Sequence, residues 1–169
     1  MSVPHERSST TRFSVAVDDA LRAAGWQPGR WDMLRAEQWA DTLRGHTTAA
    51  GHQHAVLPAA VEIWAEFGAL TVDPTGPGRH VAPAAVRIDP LPGLHSARTL
   101  VDLGRALGTE ICPLGTEGDG TTLLAVDLDG RVYGLDHTGD WYLGADFDAA
   151  LTALITGTRP QRLTPYEAE

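Results

Sequence analysis

The sequence is poor in cysteine, has no lysine and contains no long hydrophobic run. Its single cysteine, Cys112, excludes an internal disulfide and a zinc site built from several cysteines. Because Cys112 lies beside Pro113 in a short apolar segment, we expect a buried structural thiol. Residues 1–11 are polar and match neither a signal peptide nor a membrane span. We therefore expect a disordered tail there and a cytoplasmic protein with no membrane partner.

Negative charge is the strongest feature of the composition. The chain has 22 acidic and 13 basic residues, the latter all arginine, and a formal net charge of −9. Nucleic acid is an unsuitable partner, because its phosphates require a basic surface, whereas a cationic partner fits this charge. The excess is concentrated in residues 110–148, where Arg131 is the only basic residue.

Hydrophobic periodicity and glycine stops predict one domain over residues 12–162, followed by a tail over 163–169. Asp146 and Ser96 are candidate N-caps, and Gly108 and Gly157 are candidate helix stops. Predicted helices cover residues 13–24, 32–45, 58–68, 96–108 and 146–157. Predicted strands cover residues 70–72, 84–88, 111–114, 121–126, 131–135 and 141–143.

The short turns between the later strands require antiparallel pairing. Residues 121–126 are apolar on both faces, which is typical of a central strand covered by helices. Asp129 and Gly130 form the dipeptide favoured by a two-residue type I′ hairpin. The sequence therefore predicts an α+β fold in which helices flank one largely antiparallel, twisted sheet.

The segment DLDGRVYGLDHTGDW, residues 127–141, contains four aspartates, which suggest a calcium loop, a catalytic carboxylate pair or a hairpin facing a partner. Calcium spacing from Asp127 fails, because Arg131, Val132 and Thr138 occupy the fifth, sixth and twelfth positions. A catalytic pair requires acids that converge in a cleft, whereas these acids are expected at turns or strand ends in water. We therefore expect no metal, no cofactor and no catalytic residue.

Histidine and tryptophan offer further candidates. His46, His52 and His54 could form a metal site, but a solvated loop is the preferred interpretation without a carboxylate or cysteine beside them. Trp39 and Trp64 lie on apolar helix faces and are predicted core residues. Trp141 is either a cover for the core at a strand end or an exposed anchor for a partner.

Several short motifs occur in a specific order. AGWQPGR at residues 24–30, EFGALTV at 66–72 and GPG at 76–78 are followed by PLG at 113–115, LAVD at 124–127 and GRVY at 130–133. Trp141, Gly144, Ala150, Leu151, Leu154 and Gly157 continue the pattern. Together they resemble the third subfamily of SUKH immunity proteins over about residues 12–162. Two departures are Ala69, where a second glycine is usual, and Glu117, which takes the place of an acid expected slightly earlier.

The resemblance implies a cytoplasmic bacterial α+β protein that is encoded beside a polymorphic toxin, often a nuclease or deaminase, and neutralises that toxin without catalysis. From the charge pattern, our hypothesis is that acidic hairpins cover basic residues of the toxin, with Trp141 or Tyr133 as an apolar anchor. The alternatives are a regulatory or scaffold protein that binds a cellular partner, and a hydrolase with an unrecognised site. The candidate partner-binding residues are Glu117, Asp119, Asp127, Asp129, Arg131, Tyr133, Asp136, Asp140 and Trp141.

Overall fold

Helices and strands follow one another in the order expected from the sequence. The computed structural model describes residues 12–74 and 76–163, so the predicted tails, apart from Leu163, lie outside the described residues. A short 3-10 helix, Leu91–Ser96, precedes the fourth α-helix. The α-helices are α1 (Val15–Ala23), α2 (Met33–Arg44), α3 (Pro58–Phe67), α4 (Ala97–Leu107) and α5 (Phe147–Thr156). The strands are β1 (Thr71–Val72), β2 (Val86–Arg87), β3 (Ile111–Glu117), β4 (Thr122–Asp127), β5 (Val132–Asp136), β6 (Gly139–Gly144) and β7 (Gln161–Arg162).

The ends of the elements confirm some sequence predictions and correct others. The cap at Asp146 and the stops at Gly108 and Gly157 are confirmed, because Asp146 accepts the Ala149 N–H and both glycines are left-handed. Ser96 does occupy the N-cap position of α4, as predicted, but its side chain makes no capping hydrogen bond, since the chain enters α4 directly from the 3-10 helix. The 3-10 helix and β7 were not predicted; β7 has only two exposed residues and is defined by its pairing with β6.

All seven strands form one antiparallel sheet in which each strand pairs with its neighbours in sequence. On one face, Leu124 and Val126 of β4 join a core with α1, α2, α3 and α5. On the other face, Ala125 packs with Leu100 and Leu103 of α4. The central position of β4 and the α+β fold are therefore confirmed. None of the helices in the described ranges is long and apolar enough to cross a membrane.

The connection between α1 and α2 is fastened to the end of α3. The Trp26 indole N–H donates to the Glu66 carboxylate at 3.0 Å. The Arg30 guanidinium donates to the carbonyl oxygens of Glu66 and Gly68 at 2.7 and 2.9 Å. Carbonyl groups at a helix C-terminus lack partners within the helix, so Arg30 supplies hydrogen-bond donors to two carbonyl groups at the end of α3. The AGWQPGR and EFG motifs thus meet in one contact.

The core predictions for tryptophan and cysteine are also confirmed. Trp64 is fully buried, and Trp39 packs against it edge to face with the ring centroids 6.3 Å apart. Gly68 leaves room for this pair, because a Cβ there would lie 2.8 Å from the Trp39 ring. Cys112 is fully buried, and burial raises the pKa of its thiol to about 12. Such a thiol is unreactive at neutral pH.

The segment between α2 and α3 differs from the solvated loop that its histidines suggested. A β-bridge joins Thr47 to Gln53, and only 9% of His54 is exposed. His54 Nε2 lies 2.6 Å from the Leu94 carbonyl oxygen, and burial lowers the pKa of this imidazole. The loop prediction is therefore wrong for His54, whose buried ring has a carbonyl partner. Within the described residues, no group of three or more His, Cys, Asp or Glu is arranged to hold a metal ion.

Ala69 has a left-handed backbone. Its φ of +65° is the only positive φ at a non-glycine residue in the described part of the chain. A Cβ in this conformation costs roughly 1–2 kcal/mol. This conformation explains why glycine is usual at this position of the resembled motif. Ala69 bears backbone strain that a glycine would avoid.

Ala69→Gly should raise the free energy of unfolding by up to about 1 kcal/mol, because relief of the strain exceeds the extra chain entropy of glycine. The matched control is Ala106→Gly, at an exposed position of the right-handed helix α4, which should lower the free energy of unfolding by about 1 kcal/mol. Urea unfolding measures both changes. Equal destabilisation of the two variants would contradict the left-handed conformation of Ala69.

Candidate partner-binding site

The nine candidate residues do not form one surface. The β3–β4 and β5–β6 turns lie at one end of the sheet and the β4–β5 turn at the other, because successive strands run in opposite directions. β4 has six residues, which separates the two ends by about 17 Å. We call Asp127, Asp129 and Arg131 the Arg131 turn, and we call Glu117, Asp119, Asp136, Asp140 and Trp141 the acidic end.

Asp127 belongs to the interior, with 0% of its surface exposed. Its carboxylate accepts the N–H groups of Asp129 and Arg131 at 2.9 and 3.0 Å and the Tyr133 hydroxyl at 2.9 Å. Tyr133 is only 4% exposed, and its ring packs against Tyr142. The expectations that water surrounds every candidate acid and that Tyr133 is available as an anchor are wrong, because these side chains satisfy each other inside the fold.

Backbone hydrogen bonds of Asp127 define the loop of the Arg131 turn. Asp127 donates its N–H to the Arg131 carbonyl, and Gly130 donates to the Asp127 carbonyl, which leaves three residues in the loop. Gly130 has a φ of +85°, whereas Asp129 does not have a positive φ. A type I′ turn requires positive φ at both central residues, so the two-residue prediction is wrong and the connection is a three-residue hairpin loop.

Charge at the Arg131 turn is compensated within the turn. The Arg131 guanidinium lies 3.9 Å from Asp127 Oδ2 and 3.7 Å from Asp129 Oδ2. One cation therefore faces two aspartates, and one of these is buried and already hydrogen-bonded. The turn presents less unbalanced negative charge than its composition suggests.

The described carboxylates of the acidic end have no ion pair of this kind. In the described part of the chain, Glu117, Asp119, Asp136 and Asp140 form no salt bridge. Burial, followed by the charge of Asp136, raises the pKa values of Glu117 and Asp140. Burial also acts against ionisation of Asp136, but hydrogen bonds donated by Thr138 and Trp141 lower its pKa overall. Asp136 therefore stays charged and repels the other two carboxylates.

Trp141 occupies a fixed, half-buried position at the acidic end. Its indole N–H lies 3.4 Å from Asp136 Oδ1, and the Arg162 guanidinium lies 5.7 Å from the ring centroid. Arg162 also donates to the Thr138 carbonyl at 2.7 Å. Sequence reasoning missed Arg162, because β7 has no apolar periodicity and reaches this end only by pairing with β6. Trp141 covers the strand end and keeps part of its surface exposed.

The chain matches a known protein family over most of its length. The model of that family, SUKH-3 immunity protein, matches residues 13–157. The chain belongs to the SUKH-3 immunity protein family. No curated protein and no solved structure matches it. The resemblance inferred from the motifs is confirmed, and the SUKH-3 match spans α1 to α5 with strands β1 to β6.

In this SUKH-3 protein, Tyr133 should ionise later than an exposed tyrosine. Burial and the hydrogen bond to Asp127 raise the pKa of Tyr133 to about 12, whereas an unfolded chain ionises near pH ~10. Its contribution to stability is present below pH ~10 and lost as the pH rises to ~12. Tyr133→Phe should remove the late step from an absorbance titration of tyrosinate and lower the free energy of unfolding by about 1 kcal/mol at neutral pH.

Tyr142→Phe is the matched control for this titration. Tyr142 faces Tyr133 from the neighbouring strand and takes no part in the hydrogen bond between Tyr133 and Asp127. The late step should persist in Tyr142→Phe. A late titration step that remained in Tyr133→Phe would show that the hydrogen bond to Asp127 has been assigned to the wrong tyrosine.

Proposed function

We propose that this immunity protein binds a cognate toxin through the acidic end and neutralises it by covering basic residues at the toxin's active site. Nucleases and deaminases that act on nucleic acid hold phosphate with Arg and Lys, which makes them partners of suitable charge. The supporting observation is the difference between the two ends of the sheet. Carboxylates form ion pairs with Arg131 at the Arg131 turn, whereas the described carboxylates of the acidic end form none. Binding alone would neutralise the toxin, with no reaction carried out by this chain.

A basic partner would relieve an unfavourable arrangement in the free protein. The charge of Asp136 contributes to the raised pKa values of Glu117 and Asp140, so Asp136 repels each of these two carboxylates. A guanidinium or ammonium group near them replaces part of this repulsion with attraction. A neutral surface would gain nothing comparable, so the acidic end favours a cationic partner.

Charge and aromatic surface would act at different stages of binding. Complementary charge can raise association rates to about 10⁸–10⁹ M⁻¹ s⁻¹ at low salt. Trp141 offers a rigid aromatic surface held by Asp136 and Arg162, and such an anchor slows dissociation once water is excluded. Rapid capture suits a partner that is toxic to the cell in which it is made.

The test compares two double variants that each remove two negative charges. Asp136→Asn with Asp140→Asn changes the acidic end, whereas Asp129→Asn with Asp102→Asn changes the Arg131 turn and the exposed face of α4. The partner to be tested is the product of the neighbouring gene, which the proposal expects to be a toxin. The acidic-end variant should slow association about tenfold at low salt and weaken its salt dependence. The control variant should change the rate about twofold or less.

Growth of cells that co-express the toxin-like protein provides a second measurement. The control variant should protect as well as the unaltered protein, and the acidic-end variant should protect less. Equal effects of the two variants on association and growth would contradict the acidic end as the binding surface. Failure of the unaltered protein to bind or protect would contradict the neighbouring protein as its partner.

A further inference from the structure

A recess lies beside the acidic end, between β6, the C-terminal end of α5 and residues 81–83. Its volume is about 230 Å³. Val81, Pro83, Leu143 and Leu154 provide apolar walls, and Glu117 contributes a carboxylate. The recess therefore combines apolar walls with one acidic residue, and one basic residue, Arg159, also lines it.

The recess is already formed in the free protein. The N–H groups of residues 79–81 donate to the carbonyl oxygens of Thr156 and Gly157 at 2.8–2.9 Å. Gly157 has a φ of +69°, and a Cβ added to it would lie 2.8 Å from the Gly78 Cα. This close approach holds one wall of the recess against the end of α5. A side chain can therefore enter without a costly rearrangement of the backbone.

Glu117 is held at the recess by strand pairing on both sides. It lies opposite Val86 of β2 and Thr122 of β4. Burial is the main cause of its raised pKa, and no hydrogen bond or neighbouring cation in the described residues acts in the opposite direction. The ionised carboxylate is thus partly removed from water without a partner among residues 12–74 and 76–163. An incoming cation would supply that partner.

We propose that this recess receives one arginine side chain of the partner, with its guanidinium on Glu117 and its aliphatic stem against Leu143 and Leu154. Pockets for small molecules usually measure about 300–1,000 Å³, so a volume of about 230 Å³ suits a single side chain. Arginine fits better than lysine, because its planar, weakly hydrated guanidinium can donate two parallel hydrogen bonds to one carboxylate. Its methylene groups also pack well on apolar walls.

Arg159 of this chain lines the same recess. It is the residue that would compete with the partner's arginine for Glu117. Its backbone N–H donates to His80 Nδ1 at 3.1 Å, which fixes its main chain. Its side chain forms no ion pair with Glu117 in the residues that the structure describes. Because like charges repel, Arg159 should hinder rather than assist the entry of a second arginine.

The inference rests on the proposed function for the identity of the partner, since the arginine would belong to the toxin. The chemistry of the recess can be measured without a toxin. The probe is a capped Gly-Arg-Gly tripeptide, compared with peptides in which lysine or citrulline replaces arginine. Citrulline keeps the shape of arginine and lacks its charge.

Methyl NMR signals of Val81, Leu143 and Leu154 should shift most with the arginine peptide, less with the lysine peptide and least with the citrulline peptide. Glu117→Gln should weaken binding of the arginine peptide about tenfold, as expected for the loss of one charge-assisted contact. Arg159→Gln should bind the arginine peptide at least as tightly as the unaltered protein. Cooperative unfolding of each variant verifies that the fold is retained.

Asp129→Asn is the matched control, because it removes one negative charge at the opposite end of the sheet and should leave peptide binding unchanged. Equal shifts with the arginine and citrulline peptides, absence of shifts, unchanged binding in Glu117→Gln or weaker binding in Arg159→Gln would overturn the inference. None of these results depends on a toxin. The peptide experiment could fail while the acidic-end variant still slows toxin association. That combination would overturn the inference that the recess receives an arginine and would leave the proposed function standing.

Discussion

The pairing of each strand with its neighbours in sequence is the constraint on which the site depends. Consecutive turns of such a sheet lie at opposite ends, so acidic residues that are close in sequence are separated by the length of a strand. Asp129 therefore shares an end with Arg131, whereas Asp136 and Asp140 share the other end with Glu117. The position of the proposed partner surface follows from this arrangement more than from the density of acidic residues along the chain.

The buried or partly buried carboxylates at the two ends of the sheet affect stability in opposite ways. Asp127 is buried, but two backbone N–H groups and the Tyr133 hydroxyl satisfy it, so it stabilises the hairpin. Glu117 is also partly buried, but burial and Asp136 both act against its ionised form. A satisfied buried polar group stabilises a fold, whereas an unsatisfied one is unfavourable until another group completes it. The cationic partner that we propose would complete the ionised carboxylate of Glu117.

Local signals in the sequence predicted the features that depend on neighbouring residues. The stop at Gly108 and the cap at Asp146 are examples, because backbone conformation and one short-range hydrogen bond determine them. Burial of Asp127 was missed, since it depends on a hydroxyl from the next strand. The positions of Arg162 and of the recess beside Glu117 were also missed. They depend on strand pairing and on contacts between segments far apart in sequence.

Hydrogen–deuterium exchange of the protein, alone and in complex with its toxin, tests binding at the acidic end most directly. Exchange reports how strongly each backbone N–H is protected, and a bound partner slows it where the two surfaces meet. We expect slower exchange in the complex at residues 117–121 and 137–141, and unchanged exchange at residues 128–131. Protection confined to residues 128–131 or to the helices would contradict binding at the acidic end.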